Sequence, residues 1–183
     1  MSLMQAKRAD AKRILGIDAS TNSVAFTLFV DGKPSRWGKI EMDGDIYEKV
    51  RQSRVRFADA MKELNPDYVV IESAILVRSP DASIKIAMVV GSIIGSLEKH
   101  VRVITVKPTE WQNYIGNRNW TKVQKDSFKV EHPGYKESWY SNKIREKRKQ
   151  FTVDYFNKKY SIELDDFDVA DSFGVAYFAT ERL

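Results

Sequence analysis

The sequence predicts one α/β domain in which helices flank a mixed five-stranded sheet. Three β-rich segments follow one another between residues 14 and 42, and the turn signal Asp31-Gly32 separates the second from the third. Helix-like and strand-like segments then alternate from residue 45 onward. With 183 residues, 43% of them hydrophobic, the chain is long enough to bury one core of its own.

The first half of the chain supplies four of the five strands. We predict strands at 14–19, 23–30 and 35–42, a helix at 45–64 and a fourth strand at 68–72. The first three strands form an antiparallel meander because only short turns join them. The helix is predicted from its apolar spacing, and it ends before Asn65-Pro66-Asp67. The near-continuous apolar run Tyr68-Val69-Val70-Ile71 is typical of a strand buried on both faces.

The second half supplies the last strand and most of the helices. We predict a helix at 80–100, a strand at 101–106, a short helix from Pro108, and two helices at about 142–160 and 168–182. The apolar stripe of the helix at 80–100 includes Ile84, Met88 and Gly91, and it suits either the core or a contact between two copies of the chain. Residues 117–142 interrupt this pattern as a basic, aromatic-rich insertion.

Composition limits where the protein acts and what it binds. Residues 1–12 form a basic lead-in, expected to be flexible, and 13–183 form the single domain. No apolar run reaches the roughly 18 residues that span a membrane, and no signal peptide precedes the domain. The absence of cysteine favours a reducing, cytoplasmic setting. The net charge of +5 is compatible with nucleic-acid binding without requiring it.

Four acidic residues lie next to apolar segments, where carboxylates are rarely buried unless they are paired or hold a metal. Asp18 interrupts the first strand and Glu72 ends the fourth. Asp168 and Asp171 are three residues apart, so they share one face of the last helix. Each has a simpler explanation on its own: Asp18 could start a turn, Glu72 could end a strand in water, and the helical pair could cap the helix. Together they predict a cation site.

The chemistry of that site follows from the residue types the chain contains. There is no cysteine, and the only histidines are His100 and His132, so thiolate and histidine-rich sites are excluded. Oxygen ligands favour Mg²⁺, with Mn²⁺ as a substitute. Two such ions about 3.5–4 Å apart can bind the attacking water and the leaving oxygen of a phosphodiester.

The motifs around these acids resemble those of the RuvC-type Holliday junction resolvases, which belong to the RNase H-like superfamily. The resemblance rests on Leu15-Gly16-Ile17-Asp18, on Pro66-Asp67-Tyr68-Val69-Val70-Ile71-Glu72, and on Asp168-Val169-Ala170-Asp171, in that order. Ser79-Pro80-Asp81 before a glycine-containing helix and Lys107-Pro108-Thr109-Glu110-Trp111 after the fifth strand are also similar. It covers about residues 13–116 and 143–180.

The resemblance implies an RNase H-like fold and a homodimeric, magnesium-dependent endonuclease. Such an enzyme resolves four-way DNA junctions by paired symmetric nicks. Asp18, Glu72, Asp168 and Asp171 would then hold two metal ions in each active site. The family also has a lysine near the scissile phosphate, for which Lys147 is the nearest match and Lys149 the second.

The sequence departs from the family pattern in two places that bear on substrate choice. Ile75 stands where bacterial members carry an aromatic residue that probes the junction, and the insertion at 117–142 replaces a shorter connection. Residues 117–150 hold ten Lys or Arg against four Asp or Glu, with aromatic residues between them. The residues predicted to contact DNA are Ile75, Arg118, Lys122, Lys125 and Lys149.

Three alternatives remain open at the level of sequence. One is a phage-type nuclease with relaxed specificity for flaps, branched DNA or RNA–DNA hybrids. A second is a nucleic-acid-binding module without activity, which the presence of all four acids disfavours. A third, an actin-like ATPase, shares the Gly-Ile-Asp strand before a hairpin, but the chain is too short for it and lacks a second Asp-Gly phosphate loop.

Overall fold

The computed structural model describes residues 12–73 and 79–183, which form five strands and six helices. The lead-in prediction for residues 1–12 falls almost entirely outside this range. The strands are β1 (Arg13–Ala19), β2 (Ser23–Val30), β3 (Lys33–Glu41), β4 (Tyr68–Glu72) and β5 (Arg102–Val106). The helices are α1 (Ile46–Leu64), α2 (Pro80–Ile94), α3 (Pro108–Tyr114), α4 (Lys122–Glu131), α5 (Glu137–Tyr160) and α6 (Phe167–Thr180).

The strands form one mixed sheet in the order β3-β2-β1-β4-β5. β1 pairs antiparallel with β2, and β2 with β3, whereas β4 and β5 extend the sheet in parallel from β1. The predicted mixed sheet with an antiparallel meander is therefore confirmed. The parallel arrangement places the ends of β1 and β4 at the same edge of the sheet, which is where Asp18 and Glu72 lie.

Each face of the sheet is covered by its own hydrophobic core. Successive side chains of a strand point to opposite faces, so Leu15 and Ile17 of β1 pack in the core shared with α1 and α2. Ile14 packs on the other face, in the core shared with α5 and α6. Asp18 has the parity of Ile14, and the alternation therefore directs it toward α6.

Gly16 allows α6 to cross β1 at close range. A Cβ atom at Gly16 would lie only 2.5 Å from the Ala176 nitrogen and from the Ser172 oxygen, so no larger residue fits without a shift. Next to it, the buried hydroxyls of Thr27 and Ser172 hydrogen-bond at 2.7 Å. This close packing fixes the position of α6, and hence of its acidic first turns, on the sheet.

Helix α2 is shorter than predicted, and its predicted apolar stripe is partly exposed. It ends at Ile94, where Gly95 is the C-cap residue, whereas the sequence predicted a helix up to residue 100. Val89 and Ile93 are its buried residues, while Ile84 and Ile94 of the predicted stripe are 61% and 41% exposed. The reason is that almost all of α2 is apolar, so periodicity alone could not select the face that packs on the sheet.

The insertion folds around a small aromatic cluster. It contains α4 and the start of α5, which begins at Glu137 instead of near residue 142. Phe128 is buried there against Trp120, Trp139 and Tyr140, with ring centroids 5.5–6.2 Å apart. The last helix, α6, also begins and ends slightly earlier than predicted. Among the described residues, no helix has the length and apolar character needed to cross a membrane.

Candidate functional site

Asp18 and Glu72 come from neighbouring parallel strands. β1 and β4 are in register with Ile17 opposite Ile71, so the next residue on each strand is one of the two acids. Both are partly buried on the side covered by α6. Two carboxylates adjacent on one face of a sheet repel each other, and this proximity calls for a compensating cation.

Asp168 and Asp171 reach the same place from the first turns of α6. The N-cap of this helix is Asp166, whose Oδ1 accepts hydrogen bonds from the backbone N–H groups of Asp168 at 2.8 Å and Val169 at 3.0 Å. Asp166 therefore does the capping that the sequence allowed for Asp168. The side chain of Asp168 is left for other contacts, and the cap orients the turn that carries it.

Burial and mutual repulsion raise the pKa of three of these carboxyls. Burial, followed by the charge of Asp168, raises the pKa of Asp18 to about 6. Burial and the charge of Asp18 raise the pKa of Glu72 to about 8 and that of Asp171 to about 7. The carboxylates of Asp18 and Asp171 take part in no hydrogen bond or ion pair among the described residues. Such groups are typical of a functional site.

Two lysines hold the fourth carboxylate. Lys39 of β3 lies 2.7 Å from Asp168 Oδ2 and 3.0 Å from Asp166 Oδ2, and Lys149 of α5 lies 3.0 Å from Asp168 Oδ1. Burial alone would raise the pKa of Asp168, but the hydrogen bonds from both lysines outweigh it and keep that pKa below its ordinary value. Asp168 is therefore the carboxylate of the four that stays ionised most readily.

Glu72 is positioned by an aromatic residue that the sequence analysis did not assign to the site. The indole Nε1–H of Trp111, on α3, donates a 2.6 Å hydrogen bond to Glu72 Oε2. Trp111 is fully buried, and Gly174 of α6 leaves the room that its ring occupies. A buried indole needs an acceptor for its N–H, so the ring and the carboxylate fix each other.

The structure places Lys149, not Lys147, beside the acids. Lys147 Nζ instead lies 5.4 Å from the ring centroid of Phe128, in the aromatic cluster of the insertion. Residues two apart on a helix do not share a face, so the two lysines of α5 cannot both reach the site. These contacts favour Lys149, the second match of the sequence analysis, over Lys147 as the lysine near the acids.

The remaining predicted residues lie away from these contacts. Ile75 is outside the described residues. Arg118, Lys122 and Lys125 are exposed on the insertion, and no hydrogen bond or ion pair joins them to the four carboxylates. Sequence reasoning missed Lys39, Asp166 and Trp111. Asp166 could have been found as an N-cap signal one residue before the last helix, whereas nothing in the sequence connects β3 with α6.

The donor set fits a hard divalent cation in chemistry. All four acidic side chains offer oxygen, the ligand that Mg²⁺ prefers. Within residues 12–73 and 79–183, however, no three Asp, Glu or His side chains converge closely enough to hold a metal ion by themselves. This suits Mg²⁺, which proteins commonly bind through one or two carboxylates while water and substrate phosphate supply the other ligands.

Polar cavities open on both sides of the carboxylates. One of about 570 Å³ lies toward β3 and is lined by Ser20, Asn22, Lys39, Lys49 and Asp168, among others. Another of about 190 Å³ lies toward α5, and its lining includes Glu72, Arg145, Arg148, Lys149 and Asp171. The cavity toward α5 is thus lined by more cations than acids, whereas the cavity toward β3 also contains Glu41 and Asp43.

Solved structures of junction resolvases resemble this fold over nearly its whole length. Thermus thermophilus RuvC in complex with Holliday junction substrate matches with a TM-score of 0.65 at 11% identity, covering 92% of this chain and 93% of that chain. A further T. thermophilus RuvC structure gives 0.64 at 13% identity with the same coverage. The yeast mitochondrial Holliday junction resolvase Ydc2 gives 0.56 at 14% identity, covering 92% of this chain and 78% of that chain.

No model of a known protein family matches the sequence, and no curated protein sequence does. At these identities the likeness concerns the fold, which is that of the RuvC-type resolvases, as the sequence motifs predicted.

Proposed function

We propose that this protein is a magnesium-dependent endonuclease that resolves four-way DNA junctions. The observation that carries the proposal is the joining of Asp18, Glu72, Asp168 and Asp171, from three separate elements, into one electrostatically coupled group on a RuvC-type sheet. Buried, mutually repelling carboxyls destabilise the folded protein unless they bind a cation. Their retention at one sheet edge is therefore best explained by metal binding.

The four carboxylates would hold two Mg²⁺ ions per active site, with Mn²⁺ able to replace them. Bound there, the ions supply Lewis-acid stabilisation for hydrolysis of a phosphodiester, which leaves 5′-phosphate and 3′-hydroxyl ends. Within residues 12–73 and 79–183, the carboxylate oxygens of Asp18 and Asp171 have no hydrogen-bond or ion-pair partner, so they are available to act as ligands. Trp111 keeps the carboxylate of Glu72 turned toward them through its 2.6 Å hydrogen bond.

The two lysines orient Asp168 and present positive charge to a DNA strand. Lys149 lines the cavity toward α5 and Lys39 the cavity toward β3, so the strand would meet a cation on each side of the acids. Lys149 takes the role near the scissile phosphate that the family gives to a lysine. The exposed cations Arg118, Lys122 and Lys125 would contact the duplex arms, where each phosphate contact adds salt-dependent affinity.

Paired symmetric nicks need two active sites, and hence a homodimer. The exposed face of α2 is the candidate interface, because Ile84 and Ile94 are exposed there and a Cβ at Gly91 would meet open space. An apolar helix face with a small residue at its centre allows two copies to approach closely. The alternative function is relaxed cleavage of flaps, other branched DNA or RNA–DNA hybrids. A panel of labelled substrates distinguishes it from junction resolution.

The test is a panel of labelled substrates incubated with Mg²⁺ or EDTA: a four-way junction, a flap, an RNA–DNA hybrid and a linear duplex. We expect nicks at symmetric positions on two junction strands with Mg²⁺ and none with EDTA. Asp18→Asn should abolish cleavage and leave junction binding within about twofold, because it removes a metal ligand and no DNA contact. Normal cleavage by Asp18→Asn would show that Asp18 is not part of the site. Preferential cutting of another substrate would show that the four-way junction is not the preferred substrate.

A further inference from the structure

A separate cavity of about 490 Å³ opens between the start of the insertion and α5. Its principal side chains are Arg118, Trp120, Gln124, Lys147, Arg148 and Phe151. The volume falls in the range of about 300–1,000 Å³ that is typical of small-molecule sites. The cavity does not contain any of the four carboxylates, so its chemistry has to be explained on its own.

The charge of this cavity is positive and uncompensated. Three cationic side chains line it, and none of its lining residues is acidic. No carboxylate forms an ion pair with Arg118, Lys147 or Arg148 among the described residues. Concentrated positive charge without an acidic neighbour attracts an anion, and arginine in particular recognises phosphate with its planar donors.

Neutral partners hold Arg148 in place. Its Nη2 donates to Gln112 Oε1 at 2.6 Å and to the Asn117 carbonyl at 3.0 Å, and its Nε donates to Asn117 Oδ1 at 3.2 Å. Burial lowers the pKa of Arg148, with only partial compensation from the charge of Asp171. The guanidinium is thus held in a fixed orientation, and no carboxylate neutralises its charge. Both properties favour the binding of an anion.

Aromatic rings supply a second kind of surface in the same cavity. Phe151 is 41% exposed, although it lies on a helix whose neighbouring residues Thr152 and Val153 are buried. Trp120 is held edge-on against Phe128 at a centroid distance of 5.5 Å. Trp120 also borders a neighbouring cavity of about 310 Å³, so its ring is accessible from two sides. Exposed aromatic faces beside cations are the combination that binds single-stranded nucleic acid.

The cavity adjoins the carboxylate site. Asn117 and Arg148 line it and also line the 190 Å³ cavity that contains Glu72 and Asp171. A strand with one phosphate at the carboxylates could therefore continue past Arg148 and place a neighbouring nucleotide in the larger cavity.

We propose that this cavity binds one unstacked nucleotide of the DNA strand that passes over the carboxylates. The base would lie against Trp120 and Phe151, and its phosphate would lie among Arg118, Lys147 and Arg148. This inference rests on the proposed function, since it takes DNA as the polymer. It adds a specific binding site for a single base, close to the point of cleavage, and in it Arg118 contacts the phosphate of that nucleotide instead of a duplex arm.

The test is an abasic scan. A labelled four-way junction is synthesised with one base removed at each position around the nick in turn, and its affinity is measured in EDTA, where no cleavage occurs. We expect one position at which base removal weakens binding to wild-type protein about tenfold, which is what one stacked base contributes. Phe151→Ala should bind the intact junction about tenfold more weakly and show no further loss at that position.

Matched variants separate the cavity from general effects. Tyr135→Ala removes another exposed ring of the insertion, one that stacks on Trp139 and does not line the cavity, so it should keep the abasic effect. Arg118→Gln and Lys136→Gln each remove one exposed positive charge of the insertion. Both should weaken junction binding through the lost charge, and Arg118→Gln should weaken it more than Lys136→Gln does. Phe151→Leu keeps the apolar contact with Tyr155 and replaces Phe151→Ala if that variant does not fold.

The inference is overturned if no abasic position weakens binding, or if Phe151→Ala and Phe151→Leu retain the full abasic effect. Wild-type protein is assayed on the same junction with Mg²⁺ in parallel. Absence of nicking there contradicts the proposed function, whereas normal nicking with a flat abasic profile contradicts only the nucleotide cavity.

Discussion

At the scale of single residues, the acids of the site divide into two groups by their surroundings. Asp166 and Asp168 receive hydrogen bonds from Lys39, and Asp166 also from backbone N–H groups; these bonds outweigh burial and keep both pKa values low. Asp18, Glu72 and Asp171 are buried beside one another, and their pKa values are raised. A cation would bind most favourably at the second group, because there it replaces protons that the carboxyls otherwise keep in the folded protein.

The first residue-scale prediction concerns Lys149. Lys149→Gln should lower the cleavage rate roughly 10- to 100-fold, because it removes a positive charge that orients Asp168 and would face the DNA strand. The measurement is the single-turnover rate on a junction, together with binding affinity. Lys143→Gln is the control, because Lys143 lies on the same helix but pairs with Glu146. Equal losses in both variants would mean that general charge, not the Asp168 contact, accounts for the effect.

The second residue-scale prediction concerns pH and stability without metal. In EDTA the folded protein keeps protons on Asp18, Glu72 and Asp171 at pH values where the unfolded chain has lost them. The stability from these groups is fully present below their ordinary pKa near 4 and is lost as pH rises through about 6, 7 and 8. The free energy of unfolding in EDTA should therefore fall from about pH 5 to about pH 8.5, and Mg²⁺ should restore it.

Glu72→Gln tests this pH effect directly. The variant removes the acid with the largest shift while it keeps an acceptor for Trp111, so it should raise stability in EDTA at about pH 8.5 by on the order of 2 kcal/mol. At about pH 5 the gain should be much smaller, since Glu72 is protonated there. Thermal or urea unfolding at the two pH values measures both. A gain that does not depend on pH would contradict the assigned pKa.

At the scale of elements, α6 is the part of the fold that assembles the site. Its N-cap, Asp166, fixes the first turn, and Gly16 lets the helix lie directly on β1. Asp168 and Asp171 then face the ends of β1 and β4. α5 packs beside α6 and adds Lys149, and α3 adds Trp111. Each of these elements supplies one or two polar side chains, and none carries the site alone.

The prediction at this scale is that removing the α6 cap costs activity as well as stability. Asp166→Ala should destabilise the protein by about 1 kcal/mol, as is usual for an N-cap, and should lower cleavage several-fold because Asp168 is no longer held. Asp45→Ala is the matched control, since Asp45 caps α1 in the same way but lies away from the acids. If the two variants have comparable activity, the α6 cap does not contribute to catalysis.

At the scale of the whole molecule, α2 presents an apolar face that the monomer does not cover. Ile84→Arg combined with Ile94→Arg should convert a homodimer to a monomer, because two charges on an apolar contact cannot both be buried unpaired. The measurement is molecular mass at micromolar protein, with and without junction DNA. Junction cleavage by the monomer should be reduced, and paired nicks should become single ones.

Val123→Arg is the control for this variant, since Val123 is also an exposed apolar residue but lies on α4. A wild-type chain that is monomeric both with and without the junction would contradict the dimer. A double variant that still has the mass of a dimer would place the interface elsewhere.

The five strands, most of the helices and the four acidic residues were predicted from local sequence patterns. These follow from period-two and period-3.6 patterns and from acids placed beside apolar runs, which are properties of local sequence. The aromatic cluster of the insertion and the exposed side of α2 could not be predicted in this way. In both places, apolar or aromatic residues occur around the element, so the local pattern does not say which of them are buried.

Which cations meet the acids depends on contacts between distant parts of the chain. Lys39 and Asp168 are 129 residues apart, and no local pattern relates them. Lys147 and Lys149 are only two residues apart on α5, and the packing of that helix on α6 turns Lys149 toward Asp168 and Lys147 toward Phe128. Local sequence thus indicated the candidate groups for the chemistry, while long-range packing specified their partners, because contacts between distant segments depend on how whole elements dock.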